Sequence, residues 1–314
     1  MNTIDNYNTR KQKSQAFSDR ISSHLSEAGN KSVENCGCYV EFVENYNGSK
    51  RRMTKTISCK KKLCPNCSVR EAYKDGLKIE VIMQYIEDEY GKVFEWVTFT
   101  VPSVGAYELT DKINEMKTAF NKLMKHPKVA AMNKGCIRKL EINYNSDYDT
   151  YNPHYHVLFV TEKSYRNSRY YISKYKWIRL WQNMMDDTYI TEVYAKPVQQ
   201  SKEDTSRVSR YVAKNQYKDD NKNESADKDK EQAILSNQEV FDAFQNALYR
   251  KHPVTYRGLC DKARKLYKAG GLDKYKAVDK TKYTHSVAYA WGAGAYEQTG
   301  RRILTDDEKL KFKQ

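Results

Sequence analysis

No run of apolar residues in this 314-residue sequence approaches the ~20 that a membrane span needs. The opening residues, Met1-Asn2-Thr3-Ile4-Asp5-Asn6-Tyr7, hold no apolar stretch of the kind a secretory signal carries. A cytoplasmic protein with no membrane partner is therefore expected. Histidine is scarce, at 6 residues, and no His-Glu-x-x-His pattern occurs, which argues against the zinc hydrolases built on that helix. There is no Walker-type phosphate loop and no internal repeat. Acidic residues are outnumbered, 40 against 55 Lys and Arg, leaving a net charge of +15. That excess predicts a polyanionic partner, with nucleic acid as the default. Hydrophobic content of 39% and a mean hydropathy of −0.90 describe a wet surface.

The length suggests about two domains. Residues 1–34 are polar and without periodicity, and read as a flexible arm. Residues 35–80 hold a cysteine knuckle and a following helix, 90–216 a central domain, 217–237 a charged linker or insertion, and 238–314 a mostly helical C-terminal region. The part from Val254 to Gln314, rich in Lys, Tyr and Gly, points to no particular chemistry.

Five of the 7 cysteines lie between positions 36 and 67: Cys36, Cys38, Cys59, and Cys64-Pro65-Asn66-Cys67. Without an export signal, such clustering points to metal rather than disulfides. Tetrahedral zinc takes four thiolates; Cys59, Cys64 and Cys67 offer three, and either Cys36 or Cys38 the fourth. The segments Tyr39–Val43 and Thr54–Ser58 alternate like a short hairpin, giving a zinc-ribbon-like module. Arg51, Arg52, Lys60, Lys61 and Lys62 surround it and suit phosphate contacts with duplex DNA.

In the central domain, Val93–Pro102 reads as a strand stopped by proline. Leu109, Ile113, Met116, Phe120 and Leu123 then form one helical stripe. Ile137–Tyr144 reads as a strand with Lys139, Glu141 and Asn143 on one face, and a turn at Asn145–Thr150 returns the chain to Tyr151–Val160. There His154 and His156, at i and i+2, stand on one face with Leu158 and Val160. Two imidazoles side by side suit one divalent cation, and an antiparallel Glu141 would complete a mixed N/O set fitting Mg²⁺, Mn²⁺ or Zn²⁺. A helix over about Tyr170–Met185 and a strand over Tyr189–Val198 follow. Thr205 or Ser206 then caps a helix that places Arg207, Tyr211 and Lys214 on one stripe. Flanking cations favour a phenolate, as a tyrosine nucleophile requires.

Four segments in order, Cys64-Pro65-Asn66-Cys67, Thr98-Phe99-Thr100-Val101-Pro102, Asn152-Pro153-His154-Tyr155-His156 and Tyr211-Val212-Ala213-Lys214-Asn215, make the chain resemble the replication initiator (Rep) proteins of small bacterial rolling-circle plasmids, within the HUH (His-hydrophobic-His) endonuclease superfamily. Tyr256-Arg257-Gly258-Leu259 and Leu266-Tyr267-Lys268-Ala269-Gly270 extend the likeness.

The resemblance implies an α+β fold, a ferredoxin-like or RRM-like antiparallel sheet with the His pair on a central strand. It implies that Tyr211 attacks a phosphodiester at the plasmid's double-strand origin, leaving a 5′-phosphotyrosyl enzyme and a free 3′-OH. Glu141, His154 and His156 would hold Mg²⁺ or Mn²⁺, the cysteines Zn²⁺, and Lys214 would orient the phosphate. Origin DNA, double- and single-stranded, a host helicase and a DNA polymerase are the implied partners, and a homodimer is compatible. The family's glutamate one turn before the nucleophile is here Arg207, which leaves Glu203 or Asp204 to act as base in the terminating cleavage. A relaxase or single-tyrosine transposase would share the chemistry; a non-enzymatic zinc-ribbon DNA-binding regulator would share only the charge and the cysteines.

Overall fold

The computed structural model describes residues 4–199, 201–213, 231 and 233–312. Along the chain these form α1 (Ile4–Ile21), α2 (Glu27–Glu34), β1 (Tyr39–Glu44), β2 (Arg51–Thr56), α3 (Pro65–Tyr90), β3 (Val93–Thr100), α4 (Ala106–Lys125), α5 (Pro127–Met132), β4 (Gly135–Asn145) and β5 (Thr150–Thr161). There follow α6 (Lys174–Met185), β6 (Val193–Pro197), α7 (Lys202–Ala213), α8 (Gln238–Leu248), β7 (Val254–Gly258), α9 (Leu259–Lys268), β8 (His285–Gly292), β9 (Ala295–Ile303) and α10 (Asp306–Lys311). Lys214, and the expected 217–237 linker apart from 231 and 233–237, lie outside the described residues.

Two compact units result. The first comprises described residues of 1–70 and 277–314. Its sheet runs β2-β1-β8-β9, with every pair antiparallel. Val40, Phe42, Val287, Tyr289 and Tyr296 form its apolar face, and Tyr7 of α1 joins them. The flexible arm expected over 1–34 is thus corrected: α1 is an 18-residue helix that buries Tyr7, Lys11, Ser14, Phe17 and Ile21 along one stripe. Two polar members of that stripe hid it, and both have partners inside: Lys11 Nζ donates to the carbonyls of Glu34 and Cys36, each at 2.9 Å, and Ser14 Oγ lies 3.8 Å from Cys64 Sγ. The mostly helical C-terminal region is corrected too. It is helical at α8 and α9, but residues 285–303 form a hairpin whose first strand pairs with β1. Strand pairing across some 240 positions of sequence leaves no local signal.

The second unit comprises described residues of 71–218 and 224–276, built on the sheet β6-β3-β5-β4-β7, again wholly antiparallel. The α+β class and the central position of the His strand stand as expected. One face carries Phe94, Trp96, Ile137, Leu158 and Val160 against Ile79 and Ile82 of α3, Val208 and Val212 of α7, and Ala263 of α9. On the other, Phe99 meets Phe120 of α4 and Trp177 and Trp181 of α6, and Tyr151 meets Phe244 of α8. The central domain therefore does not end at residue 216, since β7 pairs with β4 and α9 joins the core. Glycine makes that pairing close. A Cβ on Gly258, which has φ +56°, would stand 2.5 Å from the Lys134 carbonyl, and one on Gly135 would stand 2.6 Å from the Leu259 nitrogen.

Candidate functional site

Strand pairing assembles the first site. In the β4–β5 ladder Glu141 lies opposite His154 and Lys139 opposite His156, and in the β3–β5 ladder Thr98 lies opposite His156. Alternation then puts all five side chains on one face. Glu141, His154 and His156 are buried, and their ligand atoms lie within 4.8 Å of one another. Glu141 Oε2 is 3.2 Å from His156 Nε2 and 3.9 Å from His154 Nε2. Neighbouring ligands around a cation held at ~2.1 Å stand roughly 3.0–3.4 Å apart, so this donor set fits one divalent ion with little adjustment.

The far side of each imidazole is fixed. His154 Nδ1 is 3.1 Å from the Asn152 carbonyl, which can only accept, so Nδ1 carries the proton and Nε2 the lone pair. His156 Nδ1 is 3.0 Å from Thr98 Oγ1, which itself accepts from Trp96 Nε1 at 2.9 Å. Burial, and then the neighbouring His156, push His154 down to about 4, so it is neutral at pH 7 and ready to ligate.

Helix α7 brings Tyr211 over this face. Its half-buried ring lies 5.1 Å from that of His156 and 5.2 Å from that of Trp96, both edge-on. Val208 and Val212 face the sheet. The helix begins at Lys202, a turn before the expected cap at Thr205 or Ser206, because Ser201 Oγ accepts from the Asp204 nitrogen at 3.1 Å. Arg207 is exposed and paired with Asp204 Oδ1, while Asp204 Oδ2 accepts from the Gln199 nitrogen at 2.8 Å. Asp204 is therefore held at both oxygens; Glu203 is exposed.

The sequence placed Lys139 beside Glu141 and Thr98 in a motif but gave neither of them, nor Trp96, a role in the site. Their signal was polarity inside buried strands: Lys139 is 2% exposed, with Nζ 3.5 Å from Glu141 Oε2.

A second donor set lies in the first unit. Cys36, Cys59, Cys64 and Cys67 gather their sulfurs, with Cys36 3.6 Å from Cys64 and 3.5 Å from Cys67, and Cys59 3.7 Å from Cys67. A tetrahedron with ~2.3 Å metal–sulfur bonds has edges of about 3.8 Å, so the set fits zinc. Crowding polarises the thiols: hydrogen bonds from Cys36, Cys59 and Cys64 pull Cys67 down, while bonds to Cys36, Cys59 and Cys67 push Cys64 up. Cys38 turns away, its sulfur 3.3 Å from the Glu34 carbonyl, so the gathered set contains Cys36 and not Cys38. Of the surrounding cations, Arg51 is tied to Glu44 at 3.0 Å and Arg52 lies 3.9 Å from Asp279; Lys60 and Lys62 are exposed and Lys61 half-buried.

Residues 50–298 match the model of a family described as replication protein. The chain belongs to that replication-protein (Rep) family. A protein rep of Staphylococcus aureus is 39% identical over 199 residues, 63% of this chain and 87% of that protein. A protein rep of Streptococcus pneumoniae serotype 2 (strain D39 / NCTC 7466) is 28% identical over 244 residues, 77% of this chain and 72% of that one. A third, from a Bacillus species, is 33% identical over 154 residues, about half of each chain. No solved structure matches significantly. The Rep resemblance drawn from the four motifs is borne out, and the match takes in the Cys59–Cys67 knuckle, the Glu–His–His face and α7 of this Rep chain. Among the described residues no helix is long and apolar enough to cross a membrane.

Proposed function

We propose that this protein initiates rolling-circle replication of a plasmid by nicking one strand of the origin through a tyrosine transesterification. The observation that carries this is the meeting of Tyr211 with Glu141, His154 and His156 on one sheet face of a Rep-family chain. Tyr211 Oη attacks the scissile phosphorus; the bond to O3′ breaks as the bond to Oη forms, and O3′ leaves with a proton as a free 3′-OH. The DNA's 5′ end stays on the tyrosine, and the bond energy is conserved for rejoining. Glu141, His154 and His156 would hold Mg²⁺ or Mn²⁺, whose charge stabilises the phosphoryl oxygens. The Asn152 carbonyl and Thr98 keep both imidazoles oriented, and Trp96 seats the tyrosine ring beside them.

The cysteine set would hold structural zinc, and Lys60, Lys61 and Lys62, with Arg51 and Arg52, would contact origin phosphates. Lys214 would orient the phosphate. For the terminating cleavage we assign the base role to Glu203, since both oxygens of Asp204 are engaged. Glu203→Ala should then slow product release and turnover while sparing the first nick; normal turnover would remove Glu203 from the mechanism.

Supercoiled plasmid bearing the cognate origin, incubated with the protein and Mn²⁺, should become open circular with a 3′ end that a polymerase extends. Tight, salt-sensitive DNA binding with no nick would instead favour the non-enzymatic zinc-ribbon regulator.

A further inference from the structure

Glu141 Oε2 is a point of convergence. His156 Nε2 reaches it at 3.2 Å, His154 Nε2 at 3.9 Å, and the ammonium of Lys139 at 3.5 Å. Two of these groups are imidazoles able to ligate a metal; the third is an ammonium. Lysine is almost never fully buried unless paired, and here the acid beside it is a candidate metal ligand. From the same place Lys139 Nζ donates to the backbone carbonyl of Tyr211 at 3.4 Å. One side chain on β4 thus spans the carboxylate of the metal set and the backbone of the nucleophile helix.

We propose that Lys139 is a positioning residue that couples the two halves of the site, fixing Tyr211 relative to Glu141 and weakening the site's hold on a divalent cation. The proposal rests on the reading of Glu141, His154 and His156 as a metal set and Tyr211 as nucleophile. Two consequences run in opposite directions. A cation shared by the three ligands lies a few ångströms from the ammonium, and like charges at that range in a buried site repel strongly. Removing the charge therefore tightens cation binding. Removing the tether to the Tyr211 carbonyl lets α7 shift, and a displacement of about 1 Å at a reacting group can cost on the order of a hundredfold in rate. A lysine that merely filled space would produce no such opposition.

The test uses the full-length protein and two readouts: Mn²⁺ affinity by titration calorimetry, and single-turnover cleavage of an origin oligonucleotide. Lys139→Met should bind Mn²⁺ about tenfold more tightly and cleave about a hundredfold more slowly. Lys139→Gln, which keeps a donor for the Tyr211 carbonyl without the charge, should bind as tightly and cleave faster than the Met variant; it carries the test if the Met variant does not fold. Lys139→Arg should retain wild-type affinity. Unchanged or weaker Mn²⁺ binding in both neutral variants, with the wild type binding normally, overturns the role of Lys139 and leaves the site reading intact. Absence of any Mn²⁺ binding in the wild type that His154→Ala abolishes would overturn that site reading itself, and the proposal with it.

Discussion

His156 can offer a cation only one ring nitrogen, and Thr98 decides which. Nδ1 is hydrogen-bonded to Thr98 Oγ1 and Nε2 faces Glu141, so a cation taken at Nε2 would leave Nδ1–H to donate to Thr98. Thr98→Val should lower Mn²⁺ affinity about tenfold or more, and Thr98→Ser should keep it; calorimetry reads both, and equal affinity in the Val variant would remove the orienting role. His154 gives a pH prediction. Its folded value of about 4 lies below the ~6.5 of an unfolded chain, so between those values the unfolded chain binds the extra proton. Stability then rises with pH across this window and is lost as pH falls through it, by up to about 3 kcal/mol from this group. Urea unfolding without added divalent cation should show a smaller loss between pH 7.0 and 4.5 in His154→Gln than in the wild type; equal losses would contradict the burial argument. At this scale the ligands were legible because an i, i+2 His pair and an antiparallel acid follow from strand geometry. Thr98 and Lys139 were not, because their importance depends on cross-strand register rather than on their own segment.

Helix α1 shows what a stripe of mixed polarity conceals. Phe17 is wholly buried, yet Lys11 and Ser14 interrupt the apolar pattern that would have revealed the helix. Phe17→Ala should cost about 3–4 kcal/mol in urea unfolding, where a flexible arm would lose nothing. The cysteine loops make an equally local prediction. Cys36→Ser should lose zinc measured by atomic absorption, whereas Cys38→Ser should keep the wild-type content; the reverse pattern would mean the ligand set is misassigned. The hairpin of β4 and β5 could be read directly, since its strands alternate and a short turn joins them. The β8–β9 hairpin could not. Its partner β1 lies far away in sequence, and small residues such as Ala288 and Ala290 blur its alternation.

Taken whole, the molecule combines a basic composition with a buried Glu–His–His face. The charge of +15 should make DNA affinity steeply salt-dependent, without by itself giving sequence specificity. The family match spans parts of both units, and the proposed nicking site lies on the unit whose sheet carries the His pair. The proposed chemistry leaves Tyr211 covalently bound to DNA. The direct measurement is mass spectrometry of a trapped adduct: protein and origin oligonucleotide with Mn²⁺, denatured, then digested with trypsin. Cleavage after Arg210 and Lys214 isolates Tyr211-Val212-Ala213-Lys214. The expected product is this peptide with a nucleotide phosphate on its tyrosine, absent in EDTA and in Tyr211→Phe. An adduct on any other residue, or one that persists in Tyr211→Phe, would contradict it.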